Sequence, residues 1–487
     1  MSYPALSRRG FLLPGRIKAL GAGGYDAAGG GRRTQNWKVP DIGPASASLS
    51  GLQTLRNRSR GAARNDAYGG SAIERLVTNT IGTGITPRPR HGDAEIRTTL
   101  QWLWDDWVDE ADADERTDFY GLQALVARAV FEAGECFVRL RPRRIEDDLA
   151  VPLQLQVLEP EFVPYTKNDN SGANTVRAGI EFNDICQRVA YWVYRYHPSD
   201  GVSQPGYNEP VRVPAEYVLH IYEALRPGQL RGVPVMAPVL ARMKSLDDFD
   251  DATLFRQEVA NLFAGFIRKP VPEEPEIDMT TGLPVKLDTD GFTPITGLEP
   301  GSMQELLPGE EVEFSSPPDA GNNYPDFMRQ QLMAVAAGVG VPFELLTGDL
   351  REVNDRVIRV VLNEFHRRIE QRQFAVFIHQ LCRPVRAAWL DAAVLSGAIA
   401  LPDYEHERRA YLKTRWAPQG WAYIHPVQDV QAAQMQVEAG FTSRSEVVLR
   451  QGYDAEMIDE EQADDAERAR RLGLHYGGSG GDAAAPL

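Results

Sequence analysis

The sequence predicts an α+β protein, mainly helical, with a mixed α/β unit in its first half. Three observations carry that reading. Apolar residues recur at helical spacing over about 238–266, 325–340 and 358–389. Between Cys136 and Tyr196 the period falls to two, as half-buried strands require. A proline-dense stretch, 268–325, then interrupts the helical pattern.

Taken in order, the chain opens with a basic segment. Residues 1–64 hold eleven Lys and Arg against two Asp, in a chain whose 52 basic and 68 acidic residues give a net charge of −16. Residues 20–51 are rich in Gly, Ala and Ser, so 1–60 is expected to be a mobile arm. The first helix is expected to open at Ser71, because Ser71 and Glu74 have capping-box spacing and Ile73, Leu76, Val77 and Ile81 share one face. Gly82 and Gly84 stop it. A second helix carries Ile96, Leu100, Leu103, Trp104, Trp107 and Val108, and a third spans about 121–133. In the strands that follow, Cys136, Val138 and Leu140 alternate with charged residues, and Leu153, Leu155 and Val157 alternate with Gln. Residues 61–237 are thus read as one α+β unit.

A long helix over 238–267, with Leu246, Phe249, Phe255, Val259, Leu262, Phe263 and Phe266 on one side, would reach roughly 40 Å. The insertion 268–322 contains short strand-like runs such as Glu311-Val312-Glu313-Phe314. A second helix over 323–342 ends at Gly340-Val341-Pro342. After a polar loop within 343–356, the pattern Ile358, Val361, Leu362, Phe365, Ile369, Phe377 to Trp389 predicts a long helix over 357–400, kinked at Pro384. Helices near 426–439 and 443–451, an acidic helix at 454–472 and a Gly/Ser/Ala tail from 473 complete the chain.

Composition and motifs exclude several function classes. A balance of −16 argues against coating nucleic acid through a broad basic face. No run approaches the roughly 20 apolar residues that span a bilayer, and Phe11-Leu12-Leu13 is too short for a signal peptide, so no membrane is expected and synthesis is expected in the cytoplasm. Cys136, Cys186 and Cys382 form no CxxC and are read as reduced thiols. The phosphate loop GxxxxGK[ST] and HExxH are absent, Gly23 fails GxGxxG at Asp26, and Gly477-Gly478-Ser479-Gly480-Gly481 lacks the strand and helix of a nucleophile elbow. Asp247, Asp248, Asp250 and Asp251 could present carboxylates to a hard cation, but acids near a helix start are also favoured by its dipole. Glu364, His366 and His379 read as solvated helix-face residues. No catalytic residue, cofactor or metal is expected.

Several segments together resemble the lambda-type phage portal family over roughly 50–470. They are Arg58-Ser59-Arg60, Arg64-Asn65 and Leu76 to Ile85; His220, then Arg226-Pro227-Gly228-Gln229, Arg231-Gly232-Val233-Pro234 and Ala237 to Leu240; Gly179-Ile180-Glu181 with Tyr191; Leu155 to Pro160; and Gly338 to Pro342 with Leu346-Thr347-Gly348-Asp349. Arg351, Glu352 and Asp355 depart from the smaller polar residues the family pattern places around Asn354.

The resemblance implies a ring-forming fold of wing, stem, clip and crown. The wing would be 61–237 together with the helix 357–400, the stem 238–267 and 323–342, the clip 268–322, and the crown 401–472, ahead of a disordered tail, 473–487. It implies a homo-oligomer, a ring of twelve, that conducts double-stranded DNA through one capsid vertex of a virion and is assembled in the host cytoplasm. Implied partners are the terminase large subunit, a capsid or scaffold protein, and the head-tail adaptor. A tunnel loop over 343–356 would bring Thr347, Gly348, Asp349, Leu350, Arg351, Glu352, Val353, Asn354 and Arg356 to the DNA, with Arg351, Asn354 and Arg356 touching phosphates without reading bases. These three could equally cap and brace the next helix. The competing readings are another structural head-tail connector or minor capsid protein, and a packaging-associated nuclease.

Overall fold

The computed structural model describes residues 36–200, 209–261, 265–268, 280, 311–314, 324–351, 353–421 and 425–474. Most of the expected arm, most of the 268–322 insertion, Glu352 and the tail from 475 lie outside the described residues.

The first element that matters to the core stands where a mobile arm was expected. After a short helix α1, Pro44–Leu49, a helix α2 runs Leu52–Asn65 and buries Leu52, Arg56 and Ser59. Its inward face includes an arginine, so no apolar stripe announces it. Helix α3, Ala67–Thr80, begins four residues before Ser71, because Asp66 accepts hydrogen bonds from the Tyr68 and Gly69 amides at 2.8 and 2.9 Å. Ser71 therefore lies inside the helix, where its Oγ donates to the Leu346 carbonyl. Asp93 caps α4, Ala94–Val108, and Asp118 caps α5, Phe119–Ala133. Trp104 packs against Trp107, Phe119 and Trp389 with ring centroids 4.9, 5.3 and 5.2 Å away, and the Trp107 indole N–H donates to the Leu153 carbonyl.

Two antiparallel sheets lie against these helices. One has the order β3-β2-β8, from Leu153–Leu158, Glu135–Pro142 and Val218–Tyr222. The other runs β4-β5-β6-β7, from Thr175–Arg177, Ile180–Phe182, Arg188–Val193 and Val211–Pro214. A small ladder pairs β1, Thr86–Pro89, with β11, Thr414–Ala417. Tyr411 and Trp416 join the main core, Tyr411 stacking on His91 and Trp416 facing Pro87 in the ladder.

The helices after the sheets follow the predicted order with shifted ends. Helix α6 spans Leu240–Asn261 and α7 spans Tyr324–Val339. Helix α8, Phe343–Thr347, occupies the start of the expected loop. The long helix divides into α9, Asp355–Arg372, a π-helical stretch Gln373–Cys382, and α10, Arg383–Ser396. The π-helical stretch ends two residues before Pro384, the proline at which a kink was expected. The Gln380 amide, in the widened turn, accepts from the Tyr222 N–H and donates to its carbonyl at 3.0 and 3.1 Å. Helices α11, Tyr404–Tyr411, α12, Pro426–Glu438, α13, Arg444–Arg450, and α14, Ala455–Leu472 in the acidic stretch, complete the described residues. No described helix is long and apolar enough to cross a membrane.

One fully buried carboxylate joins the parts. Glu135, at the start of β2, pairs with Arg56 of α2 and with Arg231, whose Nε lies 2.6 Å away, and it accepts from His220 Nε2 and the Gly232 amide, both at 2.8 Å. Arg231 also donates to the carbonyls of Pro160, Val163 and Ala178, tying the two sheets together. Gly134 and Gly232 pass so closely that a Cβ on Gly232 would stand 1.9 Å from the Gly134 carbonyl oxygen. Burial alone would raise the Glu135 pKa, but Arg231 and Arg56 hold it well below the usual carboxylate range. Burial pushes His220 down to about 4 against the pull of Glu135, so at neutral pH its Nε2–H donates to Glu135 while Nδ1 faces Arg188 at 3.2 Å.

Glu135→Gln leaves two buried guanidinium groups without a counter-charge and is expected to cost about 3–5 kcal/mol, read as a lowered thermal midpoint. The His220 shift sets a separate pH window. The unfolded chain takes up the imidazole proton near pH 6.5 and the folded chain only near 4, so stability is full above 6.5 and falls as pH drops to 4, by roughly 3 kcal/mol. Thermal melts of the native protein should show that slope, and His220→Gln should flatten it.

Candidate functional site

Helices α6 and α7 form an antiparallel hairpin. Arg242 meets Gln331, Leu246 clusters with Met328 and Leu332, Phe249 lies 5.1 Å from Phe327, and Asp250 accepts from the Tyr324 hydroxyl. Going out along α6, each contact on α7 therefore lies earlier in the chain. At 1.5 Å per residue the 22 residues of α6 reach about 33 Å. Beyond the open end, β9, Gly265–Arg268, pairs antiparallel with β10, Glu311–Phe314, so both ends of the insertion are joined by one ladder. Asp247 and Asp248 pair with Lys244, and Asp250 takes the Tyr324 hydrogen bond.

The opposite end of the hairpin leads through Gly340-Val341-Pro342 to α8 and the loop. Thr347 is the last residue of α8, its hydroxyl donating to the Phe343 carbonyl, and Gly348 caps the helix at φ 74°, a left-handed conformation that favours glycine. Asp349 accepts from the Arg351 amide and, in a two-pronged pair, from Arg351 Nε and Nη2 at 2.8 and 2.7 Å. The hydrogen bonds from Arg351 hold the Asp349 carboxyl well below the usual carboxylate range. Leu350 is exposed, and the Val353 amide returns to the Leu350 carbonyl. Asn354 caps α9 by accepting from the Arg356 amide at 3.0 Å, and Arg356 is exposed in the first turn. The loop proper is thus 348–354. Thr347 and Arg356 are helical because a glycine cap closes one helix and an asparagine cap opens the next.

Two contacts that the sequence reading missed connect the first turns of α9 to the residues around the start of α12. Asp355 Oδ2 lies 2.8 Å from His425 Nε2, just before α12, and Arg359 reaches Asp429 at 3.9 Å. The ring of His366 stacks on Trp421 at 4.0 Å. Asp355 beside Asn354 was visible in the sequence, but nothing local marked His425 as its partner.

Among the described residues, one group could bring acidic and imidazole ligands together: Glu159, Glu161 and His197, with ligand atoms within 4.8 Å of one another. Arg60 already supplies a cation there, bound to both Glu161 oxygens at 2.9 Å and to Glu159 at 3.4 Å.

The described residues thus form a paired-helix arm, with a laddered insertion at one end and a capped polar loop at the other, on an α+β body. A family model described as phage portal protein, lambda family, matches residues 30–373. The chain belongs to that family. It is similar to the protein named "Probable portal protein" of Halomonas phage phiHAP-1, 26% identical over 87% of this chain and 82% of that one. It is also similar to portal protein B of Escherichia phage lambda, 23% identical over 93% of this chain and 91% of that one. Among solved structures, a chain from the virion of a native gene transfer agent particle aligns over 95% of this chain and 99% of its own, at 15% identity and a TM-score of 0.41.

The caps should be separable from any contact with a ligand. Asn354→Ala is expected to cost the start of α9 about 1 kcal/mol, read as roughly fivefold faster hydrogen exchange at the amides of residues 356–358 with the thermal midpoint nearly unchanged.

Proposed function

We propose that copies of this chain close head to tail into a ring of twelve whose axial channel conducts double-stranded DNA into and out of the capsid. The observation that carries this reading is the α6–α7 hairpin. It buries Leu246, Met328 and Leu332 within one chain, yet leaves Phe255 66% exposed and Leu254 58% exposed, with Phe249, Phe327 and Met333 also outward. Apolar side chains along both helices of an arm are accounted for when neighbouring arms pack side by side as the stem of a ring.

In this reading the insertion 268–322 is the clip, which docks the terminase large subunit during packaging and the head-tail adaptor afterwards. The wing contacts a capsid or scaffold protein, and the helices from 425 onward form the crown inside the shell. The chain is not an enzyme and takes no cofactor; packaging energy comes from the terminase. It acts at the portal vertex of the virion after assembly in the host cytoplasm.

The loop 348–354 would face the duplex. Arg351 brings its own counter-charge in Asp349, so the pair offers hydrogen-bond donors to a phosphate at almost no net charge. A densely cationic wall would hold DNA tightly, because each neutralised phosphate adds to a strongly salt-dependent affinity. A nearly neutral rim lets it slide. Arg356, exposed and one turn on, adds the remaining positive charge.

Charge reversal of Arg351 and Arg356 together is expected to lower the yield of DNA-filled particles by at least about tenfold, with ring formation intact. Normal packaging and retention of DNA in that variant would remove the loop from the mechanism.

A further inference from the structure

Strand β2 has two partners of unequal length. It pairs with β3 over Phe137–Pro142 but with β8 only over Glu135–Arg139, so from Leu140 onward one of its edges is open. Strand β7 ends its sheet and pairs with β6 alone. These two open edges border one groove of about 420 Å³, with Leu140, Val213 and Tyr217 among its apolar lining.

The groove is also basic, in a chain whose net charge is −16. Arg139 and Arg141 of β2 and Arg143 just past its end stand at every second position, and all three line it. Arg141 and Arg143 donate to the neutral amides of Gln156 and Gln154 at 2.6 and 2.7 Å, and Arg139 makes no ion pair among the described residues. Burial, and then the like charge of Arg141, holds the Arg139 pKa below its ordinary value. Arg212, the fourth arginine of the lining, is satisfied by Glu181 at 2.8 Å. Three guanidinium groups with no carboxylate partner, spaced every second residue beside unpaired strand edges, set the chemistry of an occupant.

We propose that this groove binds an extended acidic segment of a partner protein, which adds as a short strand between β2 and β7 while its carboxylates meet Arg139, Arg141 and Arg143. A peptide offers both N–H and C=O groups to the open edges, and side chains on one face of a strand recur every 6.6 Å or so, the spacing of the arginines themselves. A phosphodiester backbone offers acceptors only and would leave the strand carbonyls and the apolar lining unmatched. Pro142 and Pro214 have no N–H to give and keep the added strand to about three residues. The inference rests on the two sheets and is independent of ring formation.

The test measures fluorescence anisotropy of a labelled, end-capped heptapeptide of alternating valine and glutamate with the full-length protein. Three comparisons accompany it: the same peptide with N-methylated alternate amides, a short DNA duplex with the same label, and the Arg139→Gln/Arg141→Gln/Arg143→Gln variant, whose thermal midpoint is checked. The native protein is expected to bind the plain peptide, with affinity falling at least about tenfold for the N-methylated peptide and for the triple variant. If the variant does not fold, the two peptides on the native protein decide. Failure to bind the plain peptide, equal binding of both peptides, or preferential binding of the duplex overturns the proposal.

Discussion

The Glu135 carboxylate is the constraint on which the body of the protein depends. Moving an ion of that size into the interior costs several kcal/mol, so it stays charged only where donors surround it. Here two guanidinium groups, one imidazole and one backbone amide converge on its two oxygens. Arg56 and Arg231 already exceed its charge, so a protonated His220 would place a third cation among them. Burial keeps the imidazole neutral, and that neutral ring is the form that donates to the carboxylate while presenting Nδ1 to Arg188.

The geometry of the assembly arm follows from that junction. Gly232 and Gly134 must pass back to back for the Gly232 amide to reach Glu135, and the chain then runs through Val233-Pro234 into the start of α6. The hairpin returns through α7 to α8, which Ser71 fastens to α3 by the Leu346 carbonyl. The loop after α8 is therefore anchored at one end to the body that Glu135 organises and at the other to α9, with Asn354 at the join. Its own shape is local: a left-handed glycine, an Asp349–Arg351 pair and an asparagine cap.

Much of the fold was legible because burial imposes a period. Trp104 and Trp107 marked one helix face, Val138 and Leu140 a strand, Leu246 the first arm of the hairpin, and Gly340-Val341-Pro342 the end of the second. The failures share a cause. Helix α2 was hidden because the residue at the centre of its buried face is Arg56, which composition counts as solvent-exposed charge. Capping at Ser71 was a plausible spacing, but Asp66 caps the helix five residues earlier, ahead of a first turn, Ala67-Tyr68-Gly69-Gly70, that carries no helical signal. The π-helical stretch before Pro384 depends on the Tyr222 strand edge that Gln380 grips, a partner 158 residues away. The two ends of the loop were legible, since Gly348 and Asn354 are local capping signals. The Glu135 cluster was visible only indirectly: His220, Arg231 and Gly232 stood in the segment that most resembled the portal family, without any local feature to show that they meet one carboxylate.

The central claim is that the outward apolar residues of the hairpin are covered by the same hairpin in neighbouring copies around an open axis. Electron microscopy of the purified full-length protein under assembly conditions tests it most directly. The account predicts closed rings with a central opening wide enough for a DNA duplex and a neck of paired helices. A protein that stays monomeric, or that assembles without a central opening, would contradict it.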